Sequence, residues 1–246
     1  MYKHFKPSPI LSEYIDSFWW AKNTKEESEK MIIVPDSFFK IILILNDKKV
    51  IRYFLAGIWT KPHEFIVPPK TESIGCRFKV LAPEYLLKRS ISHLVDSEET
   101  LPLDYLNARF IDYNDAEKAI RTLENSLLTE FVNNEIEDHK IRLSQFLYQT
   151  EGGMTVKEVG EQTFWSTRQI SRYFNKYLGV NLKTYLKIQR SYSAYFKIRE
   201  GDFSPTEKYY DQSHYIREVK EHTGASPKEI FKNEEDIFRH IRKSQK

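Results

Sequence analysis

From Met31 onward the chain alternates short apolar runs with turn formers. Met31 to Val34 leads into Pro35-Asp36, and Phe39 to Leu45 is a near-continuous apolar run of strand length, closed by Asn46-Asp47. Val50 to Ile58 and His63 to Val67 follow, the second stopped by Pro68-Pro69, and Ser73 to Val80 alternates as a half-buried strand does. Upstream, Pro7 and Pro9 favour an extended approach, Leu11 to Trp20 reads as a helical turn passing into a strand, and residues 22–30 form a charged loop. Strands this short, with turns this frequent, predict a small barrel or sandwich.

At Pro83 the period lengthens to the helical one. Pro83 to Ile91, Leu103 to Leu106 and Asp115 to Leu128 read as helices, the last with Asn114 or Asp115 as its cap, and Phe131 to Asn134 as a hinge. Everything beyond reads as helix: Ile136 to Gln149 ending at Gly152-Gly153, two short helices within 155–178, Leu182 to Glu200, Gln212 to His222 capped by Asp211, and a last helix opened by Ser226-Pro227, with a basic tail from Arg239 to Lys246. The fold class is therefore α+β: an N-terminal β-barrel with helices over 1–130, then an all-α unit over 136–246.

The stretch from Thr155 to Leu178 carries the clearest chemistry. Val156 and Val159 give a first helix an apolar edge, residues 162–165 make a turn, and Ser166 caps a second helix in which Ile170, Phe174 and Tyr177 share the inner face. The outer face holds Arg168, Gln169, Ser171, Arg172, Asn175 and Lys176, with no acidic residue. Most amphipathic helices with a basic face are solvated surfaces. A helix of this kind following a helix and a turn also suits the major groove of DNA.

Charge distribution favours the second reading. Net charge is +3 over the chain, but residues 1–135 carry 18 basic and 20 acidic side chains, leaving 20 basic and 15 acidic ones in residues 136–246. The surplus sits with the helix-turn-helix, as phosphate contact requires. The single cysteine, Cys76, excludes an intramolecular disulfide. No run approaches signal-peptide or membrane-span length, so a cytoplasmic location is expected. Nucleophile and nucleotide motifs are absent, which speaks against an enzyme. His4, His63 and His93, with Glu64 and Glu72, lack metal-ligand spacing, so no metal and no cofactor is expected. Phe18, Trp19, Trp20 and Trp59 fit either an ordinary core or an apolar pocket.

Residues 136–232 resemble the DNA-binding domain of AraC/XylS-type transcription regulators. The resemblance rests on WSTRQISRYFNKYLGVNLKTYLKIQR at 165–190, on Arg190 with Ala194, and on YYDQSHYIREVKEHTGASPKEI at 209–230. Residues 1–125 are similar, through VPDSFFKIILILND, FLAGIWTKPHEFIVPP and SIGCRFKV, to the cupin-like sensor domain in one branch of these regulators. The resemblance implies two helix-turn-helix units, at 155–178 and 204–222, joined by a linking helix at 182–200. Their recognition helices would enter successive major grooves and read bases through Arg168, Ser171 and Arg172 in the first and Gln212, Ser213 and Arg217 in the second. Gln169, Lys176 and His214 would contact phosphates or line the rim.

One departure bears on function. Ser204 to Lys208 runs straight into Tyr209-Tyr210, about five residues fewer than the family's spacing and more than one helical turn. The first helix of the second unit is expected to be stunted or absent. Val219 stands where the family has phenylalanine, and Gly160 where it has alanine, at a helix-propensity cost of about 1 kcal/mol. A regulator with one impaired reading unit, acting mainly through protein contacts, is the rival reading; a cupin-type metalloenzyme is a more distant one. The partners implied are double-stranded DNA, a small-molecule effector in the N-terminal half, a second copy of the chain and RNA polymerase.

Overall fold

The computed structural model describes residues 2–131, 135–205 and 209–232. Strand β1 (Tyr2–Phe5) precedes a 3-10 turn at Pro9–Leu11. Then come β2 (Ile15–Lys22), β3 (Glu29–Ile33), β4 (Phe39–Asn46), β5 (Lys49–Ala56), β6 (His63–Val67) and β7 (Thr71–Phe78). After a one-turn helix α1 (Ala82–Tyr85) and a last short strand β8 (Glu98–Thr100), helix α2 (Ala116–Glu130) closes the first half. The second half is helical: α3 (Asp138–Thr150), α4 (Val156–Thr163), α5 (Thr167–Tyr177), α6 (Leu182–Arg199), α7 (Gln212–Thr223) and α8 (Pro227–Lys232).

The strands pair antiparallel in the order β1-β2-β7-β4-β5-β8, while β3 and β6 form a separate two-stranded ribbon. The expected α+β division is present. Among the described strands the sheet is not closed by hydrogen bonds into a barrel; the ribbon instead lies across one face and leaves a cavity between the layers. Strand β4 is buried along most of its length, as its near-continuous apolar run anticipated, whereas β7, expected to be half-buried, is buried on both faces and carries Glu72 and Arg77 among its residues.

Two helical expectations shrink. The one over Pro83–Ile91 survives only as α1, because Lys88 turns the chain with φ of 51°. The one over Leu103–Leu106 becomes a 3-10 stretch at Tyr105–Phe110, broken where Leu106 and Asn107 take positive φ. Helix α2 is capped as expected: the Asp115 carboxylate accepts from the amides of Glu117 and Lys118 at 2.9 and 3.0 Å. The expected hinge includes residues 132–134, and the basic tail spans 239–246; both lie outside the described residues.

The halves are not separately cored. One continuous apolar cluster runs from the sheet (Phe18, Ile41, Phe78) through α2 (Leu123) into α3, α4 and α5 (Leu143, Val159, Phe174) and the start of α6. A second cluster gathers Tyr195 and Ile198 of α6, Tyr215 and Val219 of α7, and Ile230 of α8, and includes Val34, just beyond β3. Phe38 stacks on Tyr148 of α3 with centroids 5.6 Å apart, and the Tyr148 hydroxyl accepts from the amide of Val80 at 2.9 Å.

Candidate nucleic-acid interface

Helices α4 and α5 make the tight pair that the sequence predicted. Each has a reciprocal cap at its N-terminus. Thr155 and Glu158 exchange side-chain-to-backbone bonds at the start of α4, and Ser166 and Gln169 do so at the start of α5. The Thr155 amide and hydroxyl hold the Glu158 carboxyl below its ordinary value. Between the helices Phe164 takes a left-handed conformation with φ of 53°. Gly160 has a steric reason to be glycine: a Cβ there would lie 3.0 Å from the Thr167 methyl and 3.2 Å from the Trp165 carbonyl oxygen. The propensity loss is the cost of packing α4 closely against the head of α5.

Ile170 and Phe174 are fully buried, as expected. Tyr177 is half-buried and its hydroxyl donates to Glu84 at 3.1 Å; the third large inward ring is Tyr173, which the period count missed. Trp165 wedges between His139 and Tyr173, at 4.4 and 5.5 Å between ring centroids.

The far end of α5 is fixed by the sheet half. A helix leaves its last carbonyls without internal partners. Here Ser90 Oγ donates to the Lys176 carbonyl at 2.6 Å, and the Ile91 amide donates to the Tyr177 carbonyl at 2.9 Å. Lys140 Nζ, on α3, sits 3.0 Å from Glu84 and also meets Glu137 and Tyr85. Burial opposes the charge of Lys140, but these acceptors prevail and raise its pKa. Helix α5 is thus held at its head, its inner face and its tail.

What remains open is the outer face. Arg168, Gln169, Arg172, Asn175 and Lys176 are exposed, and Ser171 is half-buried among them. Gln169 is engaged in the cap through its Oε1. Lys176 lies over the Tyr177 ring, 4.5 Å from its centroid.

In the second unit α7 is capped by Asp211, whose carboxylate accepts from the His214 amide at 2.7 Å. Tyr215 and Val219 are fully buried against α6, while Gln212, Ser213 and Arg217 are exposed. Gln212 Nε2 donates to the Phe203 carbonyl at 3.0 Å. His214 is half-buried, with Nε2 3.4 Å from Glu218, so this residue also supports its own helix. Between Arg199 and Gln212 the described residues contain turns and no helix; residues 206–208 lie outside them. Arg190 of α6 donates to both carboxylate oxygens of Glu218 and ties α7 to α6.

Helices α5 and α7, each with an exposed polar face, are joined by the long helix α6 and follow an antiparallel sheet. Strands first and helices after, with one long helix between shorter ones, is the element order that the resemblance to AraC/XylS-type regulators implied. Residues 3–100 match the model of a domain of unknown function, DUF6597. No curated protein matches the chain. Among solved structures it is similar to ToxT from Vibrio cholerae, at 9% identity over 87% of this chain and 97% of that one, with a TM-score of 0.45. It is similar also to ToxT from Vibrio cholerae O395 bound to (E)-4-(8-methylnaphthalen-1-yl)but-3-enoic acid, at 10% identity over 94% and 98%, with a TM-score of 0.45. Similarity at this level carries no functional argument.

A cavity of about 490 Å³ lies between sheet and ribbon. Trp19 and Trp59 line it, whereas Phe18 and Trp20 belong to the core, so the aromatic group divides between the two roles. Of the histidines, His63 stacks on Trp59 at 4.1 Å and His93 pairs with Glu99 at 3.2 Å. Among the described residues no group of three or more His, Cys, Asp or Glu is arranged to hold a metal ion, and no helix is long and apolar enough to cross a membrane.

Proposed function

We propose that this chain is a sequence-specific DNA-binding transcription regulator of the AraC/XylS type, not an enzyme, which reads the major groove with α5 and α7. The observation that carries the proposal is α5 itself. Its head, inner face and tail are all engaged, and Arg168, Arg172 and Lys176 stand on the side left open. Arg168 and Arg172 lie one turn apart, so both can fork onto guanine edges in one groove. Gln212, Ser213 and Arg217 play the equivalent part on α7, and Gln169, Lys176 and His214 serve the phosphates and the rim. On this reading residues 1–130 are the sensing half, with a small-molecule effector in the cavity, and residues 136–246 the DNA-reading half. A second copy of the chain and RNA polymerase are further partners, in the cytoplasm.

One observation favours a second reading, in which protein contacts dominate: among the described residues no helix lies between α6 and α7 to brace α7 across the DNA backbone. Selection from a random duplex pool separates the two, followed by a salt series on the winning sequence. Two boxes one helical turn apart, with affinity falling steeply as salt rises, support reading by both helices. One box restricts reading to α5. Shallow, sequence-independent binding would overturn the proposal.

A further inference from the structure

Strand β3 has the cavity on one face and the core beneath α7 on the other. Glu29, Met31 and Ile33 line the cavity. Ile32 packs against the cluster in which α6, α7 and α8 bury Tyr195, Tyr215, Val219 and Ile230, and Val34, one residue past the strand, is fully buried in it. Side chains alternate along a strand, so the two sets stand on opposite sides of one backbone. Among the described residues, Ile32 and Val34 are the members of that cluster that the sheet half supplies.

The two walls of the cavity are held differently. The sheet wall includes Trp19 on β2, Ile42 on β4 and Ser73 on β7, and each of these strands is paired on both sides. The other wall is the β3–β6 ribbon, which pairs with no further strand among those described. A guest that outgrows the space therefore moves the ribbon before the sheet. The chain is fixed again at Asp36, whose carboxylate meets Lys40 at 2.7 Å and Arg77 at 3.2 Å. A shift of β3 is thus taken up at Ile32 and Val34, inside the α6–α8 core, where added crowding is destabilising. The last turn of α5 is met instead by Glu84, Ser90 and Ile91, and none of the three lines the cavity.

We propose that β3 is a lever between the cavity and the second recognition helix. A molecule that presses on Met31 and Ile33 loosens α7 through Ile32 and Val34, and leaves α5 in place. This rests on the sensing role proposed for residues 1–130 and on reading by α7, and it specifies which of the two helices is regulated.

The test tethers a guest in the cavity of the full chain. Ser73→Cys puts a thiol on the sheet wall, and methyl, benzyl and pyrenylmethyl methanethiosulfonates attach groups of rising size to it, removable with dithiothreitol. The unaltered chain, whose Cys76 is fully buried, is the reagent control. Should Ser73→Cys not fold, Ala21→Cys, its partner across the β2–β7 ladder, offers the thiol from the same wall. Relative to the methyl form, the pyrenylmethyl group is expected to speed hydrogen exchange at the α7 amides by roughly 5-fold or more, the scale of an overfilled core, with the α5 amides within about 2-fold. Adding Val34→Ala, which trims the contact, should remove the dependence on group size; Ile32→Ala serves if that variant does not fold. Both leave intact the other link from sheet to α6, the Arg77–Tyr192 hydrogen bond at 3.3 Å.

A thiol that no reagent reaches, α7 amides unmoved or slowed by the largest group, α5 amides that respond as strongly, or a response undiminished by the alanine would each overturn the inference. On the duplex selected from the random pool, the α7 box should weaken as the group grows while the α5 box persists. Exchange is read without DNA, so the two proposals fail separately. The expected exchange pattern with no selected duplex sinks the DNA-reading proposal alone; two boxes with α7 amides unmoved sink the lever alone.

Discussion

Arg190 on α6 and Glu218 on α7 meet side by side, Nε to Oε1 at 2.7 Å and Nη2 to Oε2 at 2.6 Å. Two charges in a fork geometry, both largely withdrawn from water, fix one helix on another in angle as well as distance. Among the described residues this pair is a direct tie between α6 and α7. Removing one partner leaves a buried charge unpaired, at a cost of about 3–5 kcal/mol. Glu218→Ala is therefore expected to destabilise the chain by that amount in denaturant titration. A footprint on the selected duplex should lose the α7 box while the α5 box persists. Loss of both boxes at once would show that the two units do not dock independently.

Base contacts and phosphate contacts should separate by mutation. Arg172→Ala is expected to weaken specific binding by about 1–3 kcal/mol and to relax the preference at one base pair. A poorly braced second unit would make Arg217→Ala the weaker change. With α7 fixed by Glu218, Tyr215 and Val219, a loss of similar size is expected there. Lys176→Ala should instead weaken all duplexes alike and lower the salt slope by about one. Competition titrations on cognate and scrambled duplexes at several salt concentrations check all three.

Gly179 joins two constraints at the tail of α5. Its φ is +77°, and a Cβ would lie 2.2 Å from the Ser92 carbonyl oxygen. Gly179→Ala is expected to cost about 1–2 kcal/mol for the left-handed backbone alone, with the clash added. Because Ser90 and Ile91 hold the last carbonyls of α5, the loss should be local first. Amides at the end of α5 should exchange faster in hydrogen-exchange measurements while those of β4 and β7 stay protected. Uniform loosening would contradict that local role.

The helical half was the more legible one because its signals are local. Ser166, Asp115 and Asp211 cap the helices they precede, and Gly152, Gly179, Gly201 and Gly224 all take positive φ at helix ends. The strand cores were legible for the same reason, and β6 over His63–Val67 matches its predicted bounds. Pairing was not. Strand β1 exists because Tyr2 to Phe5 lie along Phe18 to Ala21, and β8 because Glu98 to Thr100 lie along Phe54 to Ala56; neither stretch has an apolar alternation to reveal it. The exposure of Arg168, Gln169, Arg172 and Lys176 followed from helix period alone. Gln169, Gln212 and His214 carry a second, structural duty that no spacing rule reports. The buried Arg77 group escaped detection because Asp16, Asp36, Arg77 and Tyr192 come together only across the sheet and α6.

Acid sensitivity of the sheet half should trace to Glu72. Its carboxylate accepts from Trp20 Nε1 at 2.9 Å and from Lys48 at 2.7 Å, with Lys22 at 3.5 Å. Burial alone would raise its pKa, but the bonds from Lys48 and Trp20 outweigh burial, and the net shift is downward from the ordinary value of 4.5. A depressed folded value means that the unfolded chain takes up the proton first as pH falls. The stabilisation is complete above 4.5 and is lost as pH drops through the lower, folded value. Stability measured by denaturant titration across the acid range should therefore fall more steeply in the unaltered chain than in Glu72→Gln. The two curves should converge at the acid end and differ most at neutral pH. Trp20 emission should shift in the same window, since its indole loses its acceptor. Parallel curves would mean that the Trp20–Glu72–Lys48 group contributes nothing to the pH dependence.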